Sequence, residues 1–546
     1  MRRYCFFLCV FLIACHQKPD NPVIEPIICT NVSVDGISDG LEYSYISLTP
    51  MVELTFNMPI SQMSALTHIK MYDINDTTVP IQLNFVDDDC KILVLPAKLQ
   101  GWQKYILNIP VSLTGRDNST LHSSITVNLV TALDSIDKFP RISDDELLTL
   151  VQKQTFKYFW DFGHPVSGMA RDRNTIVDFV TTGGTGFGVM AMIVAVERKF
   201  ITRDAAVARI QTIVSFLKNS CTKYHGAFAH FLNGQTGVTQ PFAPPKDNGA
   251  DLVETSFLLQ GLLSARQYFS EENPDETQLR EDITALWEEV EWDWYRSDGK
   301  NTLYWNWSPE YAWEVNLPVT GWNECLITYV LAASSPTHSI SKTVYDEGFA
   351  LNGRTKNGAS YYGISLPLGN PYGGPLFFSH YSFLGLNPQN LRDTYTDYWE
   401  QNVAHSLINM KYCIDNPLQY MGYSADCWGL TASDGNTAYN AHSPTNDKGV
   451  IAPTAALSSM PYTPEESMRA LDFFYYKLGD KIWAEHGYGF VDAFNVTAGW
   501  YDDQFLAIDQ GPIIVMIENY RTGLLWDIFM KIPEIQAGLS KLGFSY

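Results

Sequence analysis

The chain has 546 residues and a formal net charge of −23, with 37 Lys and Arg against 60 Asp and Glu. This acidic balance argues against nucleic acid or an anionic membrane surface as a partner, because both require a basic face. Hydrophobic residues make up 45% of the chain and charged residues 18%, so it can bury a large core and is not disordered.

The first 26 residues are typical of an export signal and a tether. Two arginines precede an almost wholly apolar run, residues 4–14, which is too short to span a bilayer as a helix. The run ends at Cys15 in a sequence that resembles the lipobox of bacterial lipoproteins. We therefore expect residues 1–14 to be a signal peptide and Cys15 to carry lipid at the outer membrane; an ordinary signal peptide is the alternative. Residues 15–26 are interpreted as the tether.

Residues 27–133 predict a small all-β domain. Apolar and polar residues alternate at 52–56, 81–85, 92–95, 105–109 and 125–129, with turn residues between them, as in a sandwich. The layout resembles a bacterial Ig-like domain. A spacer is favoured over a glycan-binding module, because this region lacks clusters of acids, histidines or aromatics. The only cysteine pair inside it is Cys29 and Cys90, whose pairing stays open.

After a linker at residues 134–142, the periodicity becomes helical. Ser143 is an N-cap before three acids. Helical runs follow at 147–162, 185–199, 204–219, 251–269, 281–296, 322–333, 393–413, 464–478 and 512–531. Many lack a polar face, as expected for inner helices of a two-layer ring. Strand–helix alternation is absent, so a parallel-sheet barrel is excluded. Residues 143–546 therefore predict an all-α (α/α)6 barrel of about six helical hairpins.

Aromatic residues in loops indicate a carbohydrate ligand. Trp102 is the only one of the 14 tryptophans that precedes residue 143. Several of the others lie in loops without a helical period: Trp292, Trp294, Trp305, Trp307, Trp313 and Trp322. Flat apolar faces beside polar groups suit pyranose rings. The alternative, packing in a large helical ring, explains the tryptophans inside helical runs.

Four acids have settings that suit glycoside hydrolysis, which needs a general acid and a second carboxylate. Asp251 and Glu254 are three residues apart, so they share one helix face near its N-terminus. Glu324 follows Trp322 and begins an apolar run, a setting in which the pKa of a carboxyl can rise. Asp509 lies between apolar residues and a helix start. For each of them, an N-cap or a first-turn acid is the alternative.

Motifs for other chemistries are absent. There is no HExxH and no zinc spacing of cysteines, and the glycine-rich residues 181–186 lack the GxGxxG pattern. We therefore expect no metal and no cofactor. Arg171, Asp172 and Arg173 could bind sugar hydroxyls or form a surface ion pair.

The helical region resembles the glucoamylase-like family that includes glycoside hydrolase family 144, the β-1,2-glucan hydrolases. The matching motifs are YFWDF at 158–162, GMARDR at 168–173, TTGGTG at 181–186, YHGAF at 224–228, ADLVET at 250–255, GWNE at 321–324, PLFFSHY at 375–381, CWGL at 427–430 and DQGP at 509–512. The resemblance implies an (α/α)6 barrel, an inverting mechanism and β-1,2-linked glucose polymers as substrate, cleaved to sophorose or short oligosaccharides. It places the family's functional acids on Asp251, Glu254 and Glu324, and the water-activating acid on Asp509.

We assign Glu324 as general acid and Asp509 as general base, with Asp251 as the next choice for the base. Asp251 and Glu254 position the sugar or the water. The candidate substrate-binding residues are Arg171, Asp172, His225, Trp305, Trp307, Trp322, Asn323, His380, Tyr381 and Trp428. Endo and exo cleavage both stay open, and a monomer is expected.

Three other functions remain open from the sequence. One is a glucoamylase-like hydrolase of another glucan, and another is a non-catalytic glycan-binding surface lipoprotein. The third is an epimerase or lyase, which would use a His or Tyr base; the candidate histidines are His225, His230, His380 and His442.

Overall fold

The computed structural model describes residues 25–242 and 246–546, which form two compact units, Met1–Asp134 and Ser135–Tyr546. The predicted signal peptide and Cys15 lie outside the described residues. In the described part of the chain, no helix is both long and apolar enough to cross a bilayer.

The first unit contains two β-sheets. In chain order its strands are β1 Cys29–Val34, β2 Glu42–Ile46, β3 Val52–Phe56, β4 Lys70–Asp73, β5 Thr78–Val79, β6 Ile81–Val86, β7 Lys91–Pro96, β8 Lys104–Ile109 and β9 Ile125–Thr131, with helix α1 Gln62–His68 after β3. One sheet has the order β1-β3-β7-β6 and the other β2-β9-β8-β4-β5. Neighbouring strands are antiparallel except β2 and β9.

Along the strands of both sheets, buried side chains alternate with more exposed ones. The buried side chains of the two sheets pack together in one core. Val52 and Leu54 from β3 and Leu107 and Val127 from the second sheet belong to the same buried cluster. All five predicted strands are confirmed, with bounds that differ by at most two residues at either end. Cys29 and Cys90 are separate free thiols in this structure.

The second unit is largely helical. Its longer helices are α2 Asp144–Trp160, α3 Thr182–Glu197, α4 Arg203–Asn219, α5 Leu252–Tyr268, α6 Pro274–Glu288, α7 Leu326–Ser334, α9 Tyr398–Asp415, α11 Pro464–Asp472, α13 Ala507–Thr522, α14 Leu524–Met530 and α15 Pro533–Leu542. Short helices α8 Lys342–Val344, α10 Pro453–Leu457 and α12 Gly479–Ile482 lie among them. Strands of only two or three residues pair between loops of this unit. One such antiparallel pair joins Ala250–Asp251 to Asn306–Trp307.

Two kinds of helix are present, and their sequences explain the difference. Helix α2 begins at the predicted N-cap Ser143, which forms a capping box with Glu146, and it has one polar face. Helices α3 and α5 are buried almost all round, and α13 is buried over most of its length. A helix without a polar face must be covered by other elements. The N-terminal ends of these three covered helices reach the cavity described below.

Four helix predictions need correction. The predicted runs 322–333 and 393–413 begin later, at Leu326 and Tyr398. The predicted run 281–296 is α6, which begins at Pro274 behind an Asn273 N-cap and ends at Glu288, and Trp294–Arg296 is a separate 3-10 turn. The predicted run 512–531 begins at Ala507 and is interrupted at Gly523. Gly523 has a φ of 72°, a left-handed conformation that ends a helix and favours glycine.

Candidate active site

A cavity of about 960 Å³ lies in the second unit. Its size is within the usual range of ligand sites, about 300–1,000 Å³. The start of α5 contributes Asp251 and Glu254, the residue before α3 contributes Thr181, and the start of α13 contributes Ile508. The positive ends of three helix dipoles therefore point toward one space that also contains carboxyl groups.

Asp251 is the best-bonded acid of the cavity. It is the N-cap of α5, and its Oδ1 accepts a hydrogen bond from the backbone N of Glu254 at 2.9 Å. Its Oδ2 accepts from Trp305 Nε1 at 3.2 Å and lies 3.1 Å from His230 Nδ1. The carboxylate is 1% exposed, so these three donors replace the water it lost on folding.

Glu254 lies one turn further along α5 and faces the same space. Its Oε2 accepts a hydrogen bond from the backbone N of Gly183 at 2.8 Å. A Cβ at position 183 would come within 2.4 Å of this oxygen, so only glycine permits the close approach. Burial raises the pKa of Glu254, although the positive charge of His230 opposes the rise.

Glu324 lies on the cavity wall two residues before α7 begins at Leu326. Burial, and next the charges of Glu254 and Asp251, raise its pKa to about 7. The sequence predicted such a shift from the neighbouring Trp322, whose ring packs on Phe383 and Tyr398. In the structure, burial and the neighbouring acids explain why Glu324 can be protonated near neutral pH. We call Asp251, Glu254 and Glu324 the first acid group.

His230 is the basic partner of the first acid group. Its Nε2 lies 3.9 Å from Glu254 Oε1, and its ring stacks on Phe242 at 4.4 Å between ring centroids. Burial lowers the pKa of His230, but the charges of Glu254 and Asp251 outweigh burial and raise it to about 9. The sequence suggests His230 only as the base of a lyase. No local motif predicts its contact with Asp251.

A second set of acids lies beside the cavity. Asp434, Asp492 and Asp502, which we call the second acid group, are all buried, and one oxygen from each lies within 4.8 Å of the others. Arg173, which lines the cavity, donates from Nη1 to Asp434 Oδ2 at 3.0 Å and from Nε to Asp172 at 3.2 Å. The sequence predicted no such group.

Asp509 lies near the start of α13, against Asp492. It is 1% exposed, and its Oδ2 has no hydrogen-bond partner. Burial, and next the charge of Asp492, raise its pKa well above the usual range. Burial and then the charge of Asp509 raise the pKa of Tyr381 and of Tyr439, which both line the cavity. Asp509 follows Ile508, which lines the cavity, and does not itself belong to the described lining.

Six of the predicted site residues lie on the cavity wall, and the others lie elsewhere. The six are Asp172, Asp251, Glu254, Trp305, Glu324 and Tyr381. Among the described residues, the lining also contains Arg173 and His230, which the sequence offered as a possible sugar ligand and as a possible lyase base. Five further lining residues were not predicted: Phe242, Asp247, Asn306, Phe377 and Tyr439. Asp247 accepts from Asn306 at 3.1 Å, and burial and then Asp251 raise its pKa to about 6.

Three of the remaining predicted residues make contacts next to the cavity. Arg171 donates to the carbonyl oxygens of Val177 and Phe162. His225 stacks on Trp294 at 3.5 Å and lies at the edge of Trp307. These groups shape loops around the site, but the described lining does not include them.

Four other predicted residues are bound into the packing. Trp322 and Trp428 are 5% and 0% exposed, and neither indole N–H has a protein partner. Asn323 bonds within its own turn, to Thr320 and Cys325. His380 is 2% exposed and pairs with a serine, and burial lowers its pKa to about 3. None of these four side chains belongs to the described lining of the cavity.

Comparison with known proteins gives consistent matches for the helical unit. A family model described as "Putative glucoamylase" matches residues 316–533. An endo-β-1,2-glucanase from Chitinophaga pinensis, solved with sophorotriose and glucose, is 54% identical, with a TM-score of 0.72 over 74% of this chain and 99% of that one. The chain belongs to the glucoamylase-like family.

Two further relatives come from Parabacteroides distasonis. An exo β-1,2-glucooligosaccharide sophorohydrolase acting at the non-reducing end is 48% identical over 425 residues, 73% of this chain. This chain spans only 58% of the length of that relative. A solved β-1,2-glucanase is 39% identical, with a TM-score of 0.71 over 94% of this chain and 74% of that one. The family resemblance drawn from the motifs is confirmed.

Proposed function

We propose that this protein is an inverting glycoside hydrolase that cleaves β-1,2-glucan to sophorose or short β-1,2-gluco-oligosaccharides. The observation that carries the proposal is the cavity in which Glu324, with a pKa raised to about 7, faces the hydrogen-bonded pair Asp251 and Glu254. The names of three relatives, all active on β-1,2-glucans or their oligosaccharides, support the substrate class.

Glu324 is the proposed general acid. It lies on the wall of the cavity, and its raised pKa keeps a fraction of it protonated at neutral pH. Its proton passes to the glycosidic oxygen as the bond from that oxygen to C1 breaks. The neighbouring carboxyl groups of Asp251 and Glu254 disfavour a negative charge on Glu324, so Glu324 retains its proton until the leaving oxygen accepts it.

Asp509 is the proposed general base. Its Oδ2 accepts no hydrogen bond from a protein N–H or hydroxyl group, and the residue before it, Ile508, lines the cavity. As the base, Asp509 accepts a proton from water as the water oxygen attacks C1. Asp251, the alternative, is already an acceptor for three donors, which suits a positioning role. A general base must be deprotonated, so the raised pKa of Asp509 is an argument for Asp251 instead. Substitution of each acid in turn separates the two assignments.

The test begins with products. Purified protein is incubated with linear β-1,2-glucan, with starch and with linear β-1,3-glucan, and the products are separated by thin-layer chromatography. We expect release from β-1,2-glucan alone. Proton NMR of the first products should show the α-anomer, since inversion of a β-linkage gives the opposite configuration.

Each competing function predicts a different product. Release from starch without release from β-1,2-glucan would mean a glucoamylase. An unsaturated sugar that absorbs in the near ultraviolet would mean a lyase. Binding without products would mean a glycan-binding protein. Within the proposed function, sophorose released from the outset with little loss of polymer length indicates exo cleavage, and a rapid fall in length indicates endo cleavage.

The architecture and the location of the protein can also be proposed. We propose that residues 143–546 form an (α/α)6 barrel, that residues 27–133 form an Ig-like spacer joined by the linker 134–142, and that the monomeric protein is held at the outer membrane through lipid on Cys15. Detergent partitioning and mass spectrometry of the mature N-terminus test the anchor, with Cys15→Ala as the comparison. Light scattering after gel filtration tests the monomer.

A further inference from the structure

The second acid group is built from three separate parts of the chain. Asp434 follows the short strand Ala432–Ser433, Asp492 follows Gly489–Phe490, and Asp502 follows Trp500–Tyr501. They are 8%, 2% and 7% exposed, and one oxygen from each lies within 4.8 Å of the other two. Three carboxylates at this separation repel one another strongly when they are shielded from water.

Backbone amides hold two of these side chains in position. Asp492 Oδ2 accepts from the backbone N of Asp434 at 2.7 Å. Asp502 Oδ1 accepts from the backbone N of Asp503 at 2.9 Å and of Gln504 at 3.2 Å. Each carboxylate therefore has one oxygen used by the backbone, and the orientation of its second oxygen is fixed.

Those second oxygens have no N–H or hydroxyl partner. Asp492 Oδ1 and Asp502 Oδ2 are buried without such a donor, and the side chain next to Asp492 is another acid, Asp509. A buried acceptor that remains unbonded is costly, and buried polar groups in native proteins are rarely left so. The only basic group bonded to the second acid group in the described residues is Arg173, which binds Asp434 and leaves Asp492 and Asp502 uncompensated.

The missing partner has a definite chemistry. It must carry positive charge and bind several hard oxygen atoms in a small enclosed space. Calcium is bound by six to eight oxygens, typically from carboxylates, carbonyls and water, and it tolerates irregular geometry. Magnesium demands a near-ideal octahedron and usually keeps several waters, which suits a rigid buried group less well. Cysteine or histidine ligation of a softer metal is not needed to explain these atoms.

We infer that Asp434, Asp492 and Asp502 bind one calcium ion beside the catalytic cavity, with Asp492 Oδ1 and Asp502 Oδ2 as its carboxylate ligands. From the absence of HExxH and of zinc-spaced cysteines the sequence predicted no metal; these three acids are 10 to 68 residues apart along the chain and form no motif. The ion would fix the loops that follow three short strands. Since Arg173 joins the group to the cavity wall, the ion would also hold that wall in place.

The test measures the metal and not hydrolysis, so its failure is distinguishable from failure of the proposed function. Full-length protein is treated with EGTA, exchanged into metal-free buffer at constant ionic strength, and returned to calcium, magnesium or sodium chloride. We expect about one calcium per chain by elemental analysis. The melting temperature should rise by roughly 2–5 °C at a calcium concentration about 100 times Kd, with a smaller rise for magnesium.

Variants locate the ion. Asp502→Asn should weaken calcium binding at least about tenfold, and Asp492→Asn combined with Asp502→Asn should abolish the rise in melting temperature. Asp503→Asn is the matched control, because Asp503 is the next residue and its side chain is exposed; it should bind calcium as the unmodified protein does. Terbium luminescence, excited through nearby aromatic residues, gives an independent titration of the same site.

Two results would overturn the inference. One is unmodified protein that holds no calcium and shows no change in melting temperature. In that case protons shared among the carboxyls neutralise the group instead. The other is calcium binding that persists unchanged in the single and double variants, which would place the ion elsewhere. If the double variant does not fold, elemental analysis of the unmodified protein and of Asp502→Asn still decides the question.

Discussion

The two acid groups beside the cavity have similar composition but different partners. In the first acid group the compensating group is His230, whose charge depends on pH, and every oxygen of Asp251 is bonded. In the second acid group the compensating group is Arg173, which stays charged at all accessible pH values, and two oxygens have no partner. Composition alone therefore does not assign a role to a cluster of acids.

The difference predicts different chemistry. The first acid group, whose partner His230 titrates, can gain and lose protons during turnover, as acid catalysis requires. A group held by backbone amides and a permanent cation behaves as a fixed negative site, which suits a bound ion. Asp509 lies between these cases, since it is next to Asp492 of the second group and follows Ile508, which lines the cavity.

The largest expected effect comes from removing the proposed acid. Glu324→Gln should lower kcat on β-1,2-glucan at least about 10²-fold with KM nearly unchanged, because the amide cannot donate a proton to the glycosidic oxygen. Steady-state kinetics on a defined oligosaccharide measures the change. Glu310→Gln is the control, since this exposed acid in the preceding loop undergoes the same substitution. A loss confined to KM would show that Glu324 binds sugar and is not the acid.

The assignment of the base depends on comparing two substitutions. Asp509→Asn should also cost at least about 10²-fold in kcat. Asp251→Asn should cost about tenfold, mostly in KM, because it disturbs the bonds to His230 and Trp305 without removing the base. Asp527→Asn, an exposed substitution on α14, is the control. If Asp251→Asn gives the larger loss in kcat and Asp509→Asn retains activity, the base is Asp251.

The pH dependence of kcat/KM should reveal the state of Glu324 in the free enzyme. Because its pKa is raised to about 7, the protonated fraction falls above that pH, and kcat/KM should fall about tenfold per pH unit above about 7. The measurement uses a substrate without ionisable groups between pH 5 and 9. A profile that stays level to pH 9 would contradict the assignment of Glu324 as the acid.

Stability should depend on pH through His230. Its pKa is raised from about 6.5 to about 9 in the folded protein, so the folded state binds the proton more tightly. The stabilisation is full below about pH 6.5 and is lost as pH rises through about 9. We expect the melting temperature to fall over this range and to fall less in His230→Asn, with exposed His486→Asn as the control. Equal slopes in all three proteins would show that His230 is not the titrating partner of Asp251 and Glu254.

Local patterns predicted much of the fold because they report local physics. Strands such as Val52–Phe56 alternate because one face of the sheet is buried. Helix α2 begins at Ser143 because a capping box satisfies its free amides. Helix α6 was displaced because aromatic residues at 292–296 extended the apolar pattern, although Trp292 is buried outside any helix. Its Asn273–Pro274 start signal was present in the sequence and was not used.

The site was predicted only where its residues have local signatures. Asp251 and Glu254 share a helix start, and Glu324 immediately precedes an apolar helix. His230 is 21 residues from Asp251, and Arg173 is 261 residues from Asp434. Such pairs are brought together by tertiary packing, so no periodicity in the sequence identifies them.

The smallest expected effect concerns the first unit. It contains two sheets around its own core, and the lining of the cavity comes entirely from residues of the second unit among those described. The Chitinophaga relative matches 74% of this chain with 99% of its own length, so nearly all of that relative folds without a counterpart to the remaining quarter of this chain. A protein that begins at Ser135 should therefore keep kcat/KM on a short β-1,2-gluco-oligosaccharide within about twofold. A large loss on polymer with no loss on the short substrate would instead assign glycan binding to the sheets, because a spacer has no reason to distinguish substrate length.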